Sequence, residues 1–184
     1  LLLITWLMAV VGAFLRVSVS SFFINSFYQQ MSNVFGGENN SFVFDLRGAA
    51  ADPEDPAGRV AEILEARAGS LGVDYRTRNY FVLDGETGAY ISSSANESAL
   101  PREQSANLLA ARNAVIRGDE TAVGDESDIT ADFMDVAVPV MGGGNAFIVY
   151  ILDSKDTVSG LNSQLFLLIM QALVIGLLIS VLLS

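Results

Sequence analysis

Hydrophobic positions dominate both ends of the chain and become periodic between them. Leu1–Leu15 reads LLLITWLMAVVGAFL without a charge, and Thr157–Ser184 is again uncharged, densest in apolar residues from Leu165 to Leu183. A membrane-crossing helix needs about 20 mostly apolar residues. The second run meets that length, whereas the first stops at Arg16 and is expected to be a span shortened at its N-terminal end. A cleaved signal peptide would carry a basic stretch before the apolar run and a small-x-small site after it; here Arg16 follows the run. The pattern therefore predicts a first transmembrane helix over 1–22, a folded domain over 23–160 and a second transmembrane helix over 161–184.

Beyond Arg16, Phe23, Phe27, Met31 and Phe35 recur every four residues with Val34 on the same stripe, so the first helix is predicted to continue to about residue 35 as a core or dimer seam. Gly36 and Gly37 break it. Phe42, Phe44 and Leu46 alternate as in a short strand. Asp52-Pro53 and Asp55-Pro56 each offer an N-cap with proline at the first helical position. Val60, Ile63, Leu64 and Leu71 then form an apolar helix face closed by Gly69 or Gly72.

Tyr80–Asp84 and Ala89–Ser93 read as a hairpin around Gly85-Glu86-Thr87-Gly88. Pro101 is expected to open a helix with Leu108, Leu109, Val115 and Ile116 facing inward and Gly118 at its end. Phe133–Met141 and Ala146–Asp153 form a second hairpin across Gly142–Asn145, with Met134, Val136, Val138 and Val140 on one face. Pro139 lacks an amide hydrogen and belongs at an edge or bulge. The predicted fold class is α+β, an antiparallel sheet with packed helices, in one domain without internal repeats.

All ten Lys and Arg and all 21 acidic residues lie between Arg16 and Asp156, which gives the middle segment the whole net charge of −11. Nucleic acid is excluded as a natural partner, since phosphate neutralisation needs clustered cations. Cytoplasmic juxtamembrane segments tend to be basic, so the acidic domain is expected outside the cell, with the protein in the cell membrane as a two-pass chain. The flanking charges that would orient the spans are absent. Without cysteine there is no disulfide or thiol chemistry, and without histidine no imidazole base, metal ligand or phosphoacceptor.

The segments YFVLDGETGAYISSS and DFMDVAVPVMGGGNAFIVYILDSKDTV resemble the PAS-like extracytoplasmic sensor domain known as PDC or Cache. The marks are Val82–Ser93, the Val138–Val140 strand with its glycine turn, and the last strand running through Asp153 towards the second apolar run. With its flanking spans the chain is similar to the N-terminal half of a bacterial sensor histidine kinase, of the Gram-positive cell-wall-monitoring group. These are marks of fold, and fold does not by itself imply function. The resemblance implies a homodimer whose outer domain reads a stimulus and passes it through the second span to a kinase beyond Ser184. The phosphoacceptor histidine, the ATP and magnesium site and the contact with a response regulator would lie there, so no catalytic residue and no cofactor is assigned to this segment.

A PAS-like domain binds small ligands between its sheet and the helix after the first hairpin. The resemblance implies Arg78, Tyr80, Val82, Tyr90, Ser92 and Arg112 as lining. Either arginine could grip a carboxylate in bidentate fashion, or pair with a nearby acid of the domain itself. Asp119, Glu120, Asp125, Glu126, Asp128, Asp132 and Asp135 could bridge a hard divalent cation or form a solvated acidic loop; their spacing is not that of an EF-hand. Ala172, Gly176 and Ser180 recur every four residues beside Gln171, a pattern that lets two membrane helices approach closely and share an amide hydrogen bond, although small residues are common in such helices generally.

Other readings remain open at this stage. A chemoreceptor or a cyclic-nucleotide-type enzyme could use the same outer domain, and another membrane protein could be its input. An anchored hydrolase would have to work with carboxylates or a Ser–Lys pair, and the sole lysine is Lys155.

Overall fold

A computed structural model describes residues 2–36, 40–73, 77–101, 105–119 and 132–155, with 167, 168, 171, 172, 174 and 175. The chain divides into two units, residues 1–26 with 155–184, and Phe27–Ser154. The second apolar run lies almost wholly outside the described residues.

Helix α1 spans Leu2–Phe35, and its stretch Ala9–Phe35 is long and apolar enough to cross a membrane. Its 34 residues rise about 50 Å, more than the roughly 30 Å of a hydrocarbon core. Trp6, Phe14, Val17 and Phe22 are exposed, whereas Phe27, Met31 and Phe35 are buried. The expected continuation of the first helix to residue 35 is observed.

Helix α2 (Ser41–Ala50) replaces the strand expected around Phe42–Leu46. Asn40 caps it, its Oδ1 accepting from the Phe42 amide at 2.9 Å, which satisfies a donor left free at a helix start. Phe42, Leu46, Ala49 and Ala50 are buried at helical spacing, while Phe44 points to solvent. The Phe42 ring meets that of Phe35 at 5.5 Å between centroids. Helix α3 (Pro56–Ala66) begins as predicted behind Asp55, which accepts from the Gly58 amide at 3.0 Å. Helix α4 (Ala68–Leu71) ends at Gly72 in the left-handed conformation.

Strands β1 (Arg78–Asp84) and β2 (Tyr90–Ser93) form the first hairpin, and β3 (Phe133–Gly142) and β4 (Asn145–Ser154) the second. The sheet is antiparallel in the order β2-β1-β4-β3. Pro139 therefore sits on an edge strand. Helix α5 covers Ala106–Arg117, not the whole stretch from Pro101, because Ser105 supplies the cap, its Oγ accepting from the Leu108 amide at 3.0 Å. Its inward face also differs: Leu109 and Ile116 are exposed, and Asn107, Leu108, Ala111, Ala114 and Val115 are buried. Three small or polar residues on that face bring the helix close to the sheet.

Alternation assigns the two faces of the sheet. Phe81, Leu83, Ala137, Ile148, Tyr150 and Leu152 form one buried cluster with Leu108, Ala111 and Val115 of α5. Tyr80, Val82, Met134, Val136, Val138, Val140, Phe147, Val149 and Ile151 are buried on the opposite face, which α2 and α3 cover. The β3–β4 turn lies against the end of α2. A Cβ on Gly142 would overlap the Arg47 carbonyl oxygen and approach the Ala51 nitrogen at 2.9 Å, and the Asn145 amide donates to the Ala50 carbonyl at 3.0 Å.

Candidate functional site

Arg78 opens β1 in register with Asp153 near the end of β4. Its Nε donates to Asp153 Oδ2 at 2.8 Å, and its Nη1 donates to Gln30 Oε1 at 2.6 Å and to the Leu71 carbonyl at 2.9 Å. The guanidinium carbon also lies 4.9 Å from the Phe27 ring centroid, a cation–π contact. The two charged side chains retain only 14% and 12% exposure. Of the two readings of this arginine, pairing with an acid of the domain is the one observed.

The other expected lining residues do not converge on one cavity. Tyr80 and Val82 share the face of Arg78, away from α5. Ser92 is in register with Val82, but Tyr90 is in register with Leu83, because the register shifts between Val82 and Leu83. This bulge places Tyr90 and Ser92 on opposite faces although they are two residues apart. Tyr90 packs against the α5 cluster, with its hydroxyl 3.2 Å from Ser93 Oγ. Ser92 Oγ is buried with no hydrogen bond among the described residues. Arg112 turns to the first hairpin, its Nη2 donating to the Glu86 carbonyl at 3.1 Å.

Where the resemblance places a ligand, between sheet and α5, lies the apolar cluster, and the N-terminal end of α5 holds a buried polar network. Asp135 and Asn107 are both buried. The Asn107 Nδ2 donates to the Asp135 Oδ1 and to its carbonyl, both at 2.9 Å, and the Tyr150 hydroxyl donates to Asp135 Oδ2 at 2.9 Å. Ser105 Oγ lies 3.4 Å from the same hydroxyl. Burial, and then the neighbouring Asp135 charge, push the Tyr150 hydroxyl far above the ordinary phenol range and keep it a donor. Asp135 is thus an internal acceptor and not a member of a solvated acidic loop.

Sequence reasoning missed Asn107 and Tyr150. The available signal was a polar residue four positions before Ala111 on the small-residue face of α5, and the shared alternation of Asp135 with Phe133 and Ala137.

Asp119 follows α5, its amide donating to the Ala114 carbonyl at 2.9 Å, and Asp132 precedes β3. Glu120, Asp125, Glu126 and Asp128 lie outside the described residues. Among the described residues no group of three or more acidic side chains is arranged to hold a metal ion. Gln171 and Ala172 are helical and exposed; Gly176 and Ser180 lie outside the described residues. Phe44, Asp45, Gly48, Ile63, Ala66 and Arg67 line an open groove of about 400 Å³ between α2 and α3, at whose rim Arg67 and Asp45 are 4.0 Å apart.

A comparison of the chain with protein-family models, with curated proteins and with solved structures returns no match. The geometry therefore defines the class: an α+β domain with a four-stranded antiparallel sheet, and a helix long and apolar enough to span a membrane.

Proposed function

We propose that this chain is the signal-input region of a membrane-bound two-component sensor histidine kinase. In this reading Phe27–Ser154 is a PAS-like extracytoplasmic domain, Leu165–Leu183 forms a second span, and the receptor works as a homodimer that drives a cytoplasmic kinase and its response regulator. The observation that carries it is α1, which is apolar enough to cross a bilayer and yet contributes Phe27, Met31 and Phe35 to the buried part of the folded unit. The order hairpin, helix, hairpin around one antiparallel sheet adds support.

The test is the coding sequence downstream of Ser184, with phosphorylation of membranes carrying the full-length protein. A dimerisation helix bearing histidine, a nucleotide-binding site and transfer of the γ-phosphate of ATP are the expected result. Coiled-coil heptads without such a histidine would replace the kinase by a chemoreceptor, and the absence of any output segment would overturn both.

The apolar α5 cluster and the open α2–α3 groove support a second reading, in which the input is another membrane protein. A thermal-shift screen of the full chain with amino acids, carboxylates and divalent cations separates the two. A shift supports a small ligand, and its absence supports a protein partner.

A further inference from the structure

One side chain grips the folded unit at both of its ends. The unit begins at Phe27 and ends at Ser154; Arg78 lies over Phe27 and is ion-paired with Asp153, the residue before the last. It holds the incoming helix a second time through Gln30, and it holds α4 through the Leu71 carbonyl. Gln30 in turn donates to the Ser70 carbonyl at 2.9 Å, so α1, α4, β1 and β4 meet on a single guanidinium.

Gly72 leaves the room for it. A Cβ there would stand 2.5 Å from Arg78 Nη1 and 3.1 Å from Gln30 Nε2. The residue also has φ +66°, which an L side chain resists.

We infer that Arg78 is a latch that joins the incoming helix α1 to the outgoing strand β4, and that its release is a discrete conformational step by which this domain alters what its two ends do. This contact is built from a largely desolvated charge. Such a pair is held firmly while complete, and loss of one partner leaves an uncompensated buried charge, so the arrangement favours two states over a continuum. The remaining exposure of both side chains lets water take over their hydrogen bonds once the pair parts. The inference rests on the receptor reading only in assigning a signal to the release.

Hydrogen exchange on the full-length protein in lipid nanodiscs tests the latch, with Asp153→Asn removing the charge partner and Gly72→Ala displacing the guanidinium without touching any charge. Glu62→Gln, at an exposed ion pair with Arg59, is the control. Both latch variants are expected to speed exchange about tenfold or more at 27–35 and 152–154 while α5 and residues 136–142 of β3 keep wild-type protection. Unchanged exchange at 27–35, or an equal loss of protection across the sheet, overturns the latch.

Self-phosphorylation of the same samples supplies the second arm. Local release with several-fold altered phosphorylation supports the signalling role. Local release with unaltered phosphorylation overturns that role. A protein without self-phosphorylation overturns the kinase reading, and the exchange data then decide the latch alone.

Discussion

The Tyr150 hydroxyl and the Asp135 carboxylate are joined by a 2.9 Å hydrogen bond that runs diagonally across the β3–β4 pair, since Tyr150 is in register with Ala137 and Asp135 with Leu152. Diagonal neighbours on one face lie within reach of aromatic side chains. The bond fastens the sheet where α5 begins, and Asn107 completes it from the helix side.

Tyr150→Phe should therefore lower stability by about 1–3 kcal/mol, the cost of leaving a buried acceptor short of a donor, read as a shift of the urea midpoint at constant slope. A pH dependence follows. The folded phenol titrates above the ordinary value of 10.0, so the unfolded chain loses this proton first and the contribution, complete below pH 10, falls as pH rises beyond it. The wild type should lose stability above that pH more steeply than Tyr150→Phe; parallel curves would contradict the assignment.

Asp84 closes the first hairpin. Its Oδ1 accepts from the Thr87 hydroxyl at 2.6 Å and from the Thr87 amide at 2.7 Å, and these bonds hold its carboxyl below the ordinary range. A depressed folded value means stability that is present above the unfolded value, near 3.8, and is lost as pH falls through the folded one. Acid unfolding followed by tyrosine circular dichroism should show this loss in the wild type and a shallower one in Asp84→Asn.

Leu46 and Phe44 distinguish a helix from a strand at 41–50. Leu46→Ala, at a fully buried position, should cost about 2–5 kcal/mol. Phe44→Ala, at a side chain with 76% exposure, should stay within about 0.5 kcal/mol. Equal costs in denaturant unfolding would return this segment to a strand.

Gly142→Ala should destabilise by about 1–3 kcal/mol, as overpacking does, because its Cβ meets the backbone at the end of α2 and not a flexible side chain. The signature is faster hydrogen exchange at 49–51 and 142–145, with β1 unaffected.

Residues 1–184 hold no cysteine, so Glu62→Cys places one thiol within them, at an exposed position on α3. Intact cells carrying the full-length Glu62→Cys protein should show labelling by a membrane-impermeant maleimide above that of the same protein without the substitution. Labelling only after lysis would place the domain in the cytoplasm.

Much of the local structure was legible. The Asp55-Pro56 start, the Gly118 stop, both hairpins and the edge placement of Pro139 follow from backbone chemistry that acts within a few residues. Segment 41–50 was not, because Phe42, Phe44 and Leu46 fit a period of two while Phe42, Leu46, Ala49 and Ala50 fit a helix. Burial of Phe42 against Phe35 and the Asn40 cap decide between them. The inward face of α5 departs from the pattern of large apolar residues for a related reason: Leu109 and Ile116 are larger than Ala111 and Ala114, but the small residues allow the closer approach to the sheet.

The sequence by itself determined where the chain is apolar enough for a bilayer, where it is acidic, and where α3 starts, α5 stops and the two hairpins turn, since these depend on composition and on neighbours a few positions away. Only the tertiary structure decided which face each side chain serves. A one-residue bulge beside Ile91 separates Tyr90 from Ser92. A strand register brings Arg78 to Asp153, 75 residues apart. Such choices are made by long-range packing and by the pairing of buried charges and amides, which no local pattern encodes.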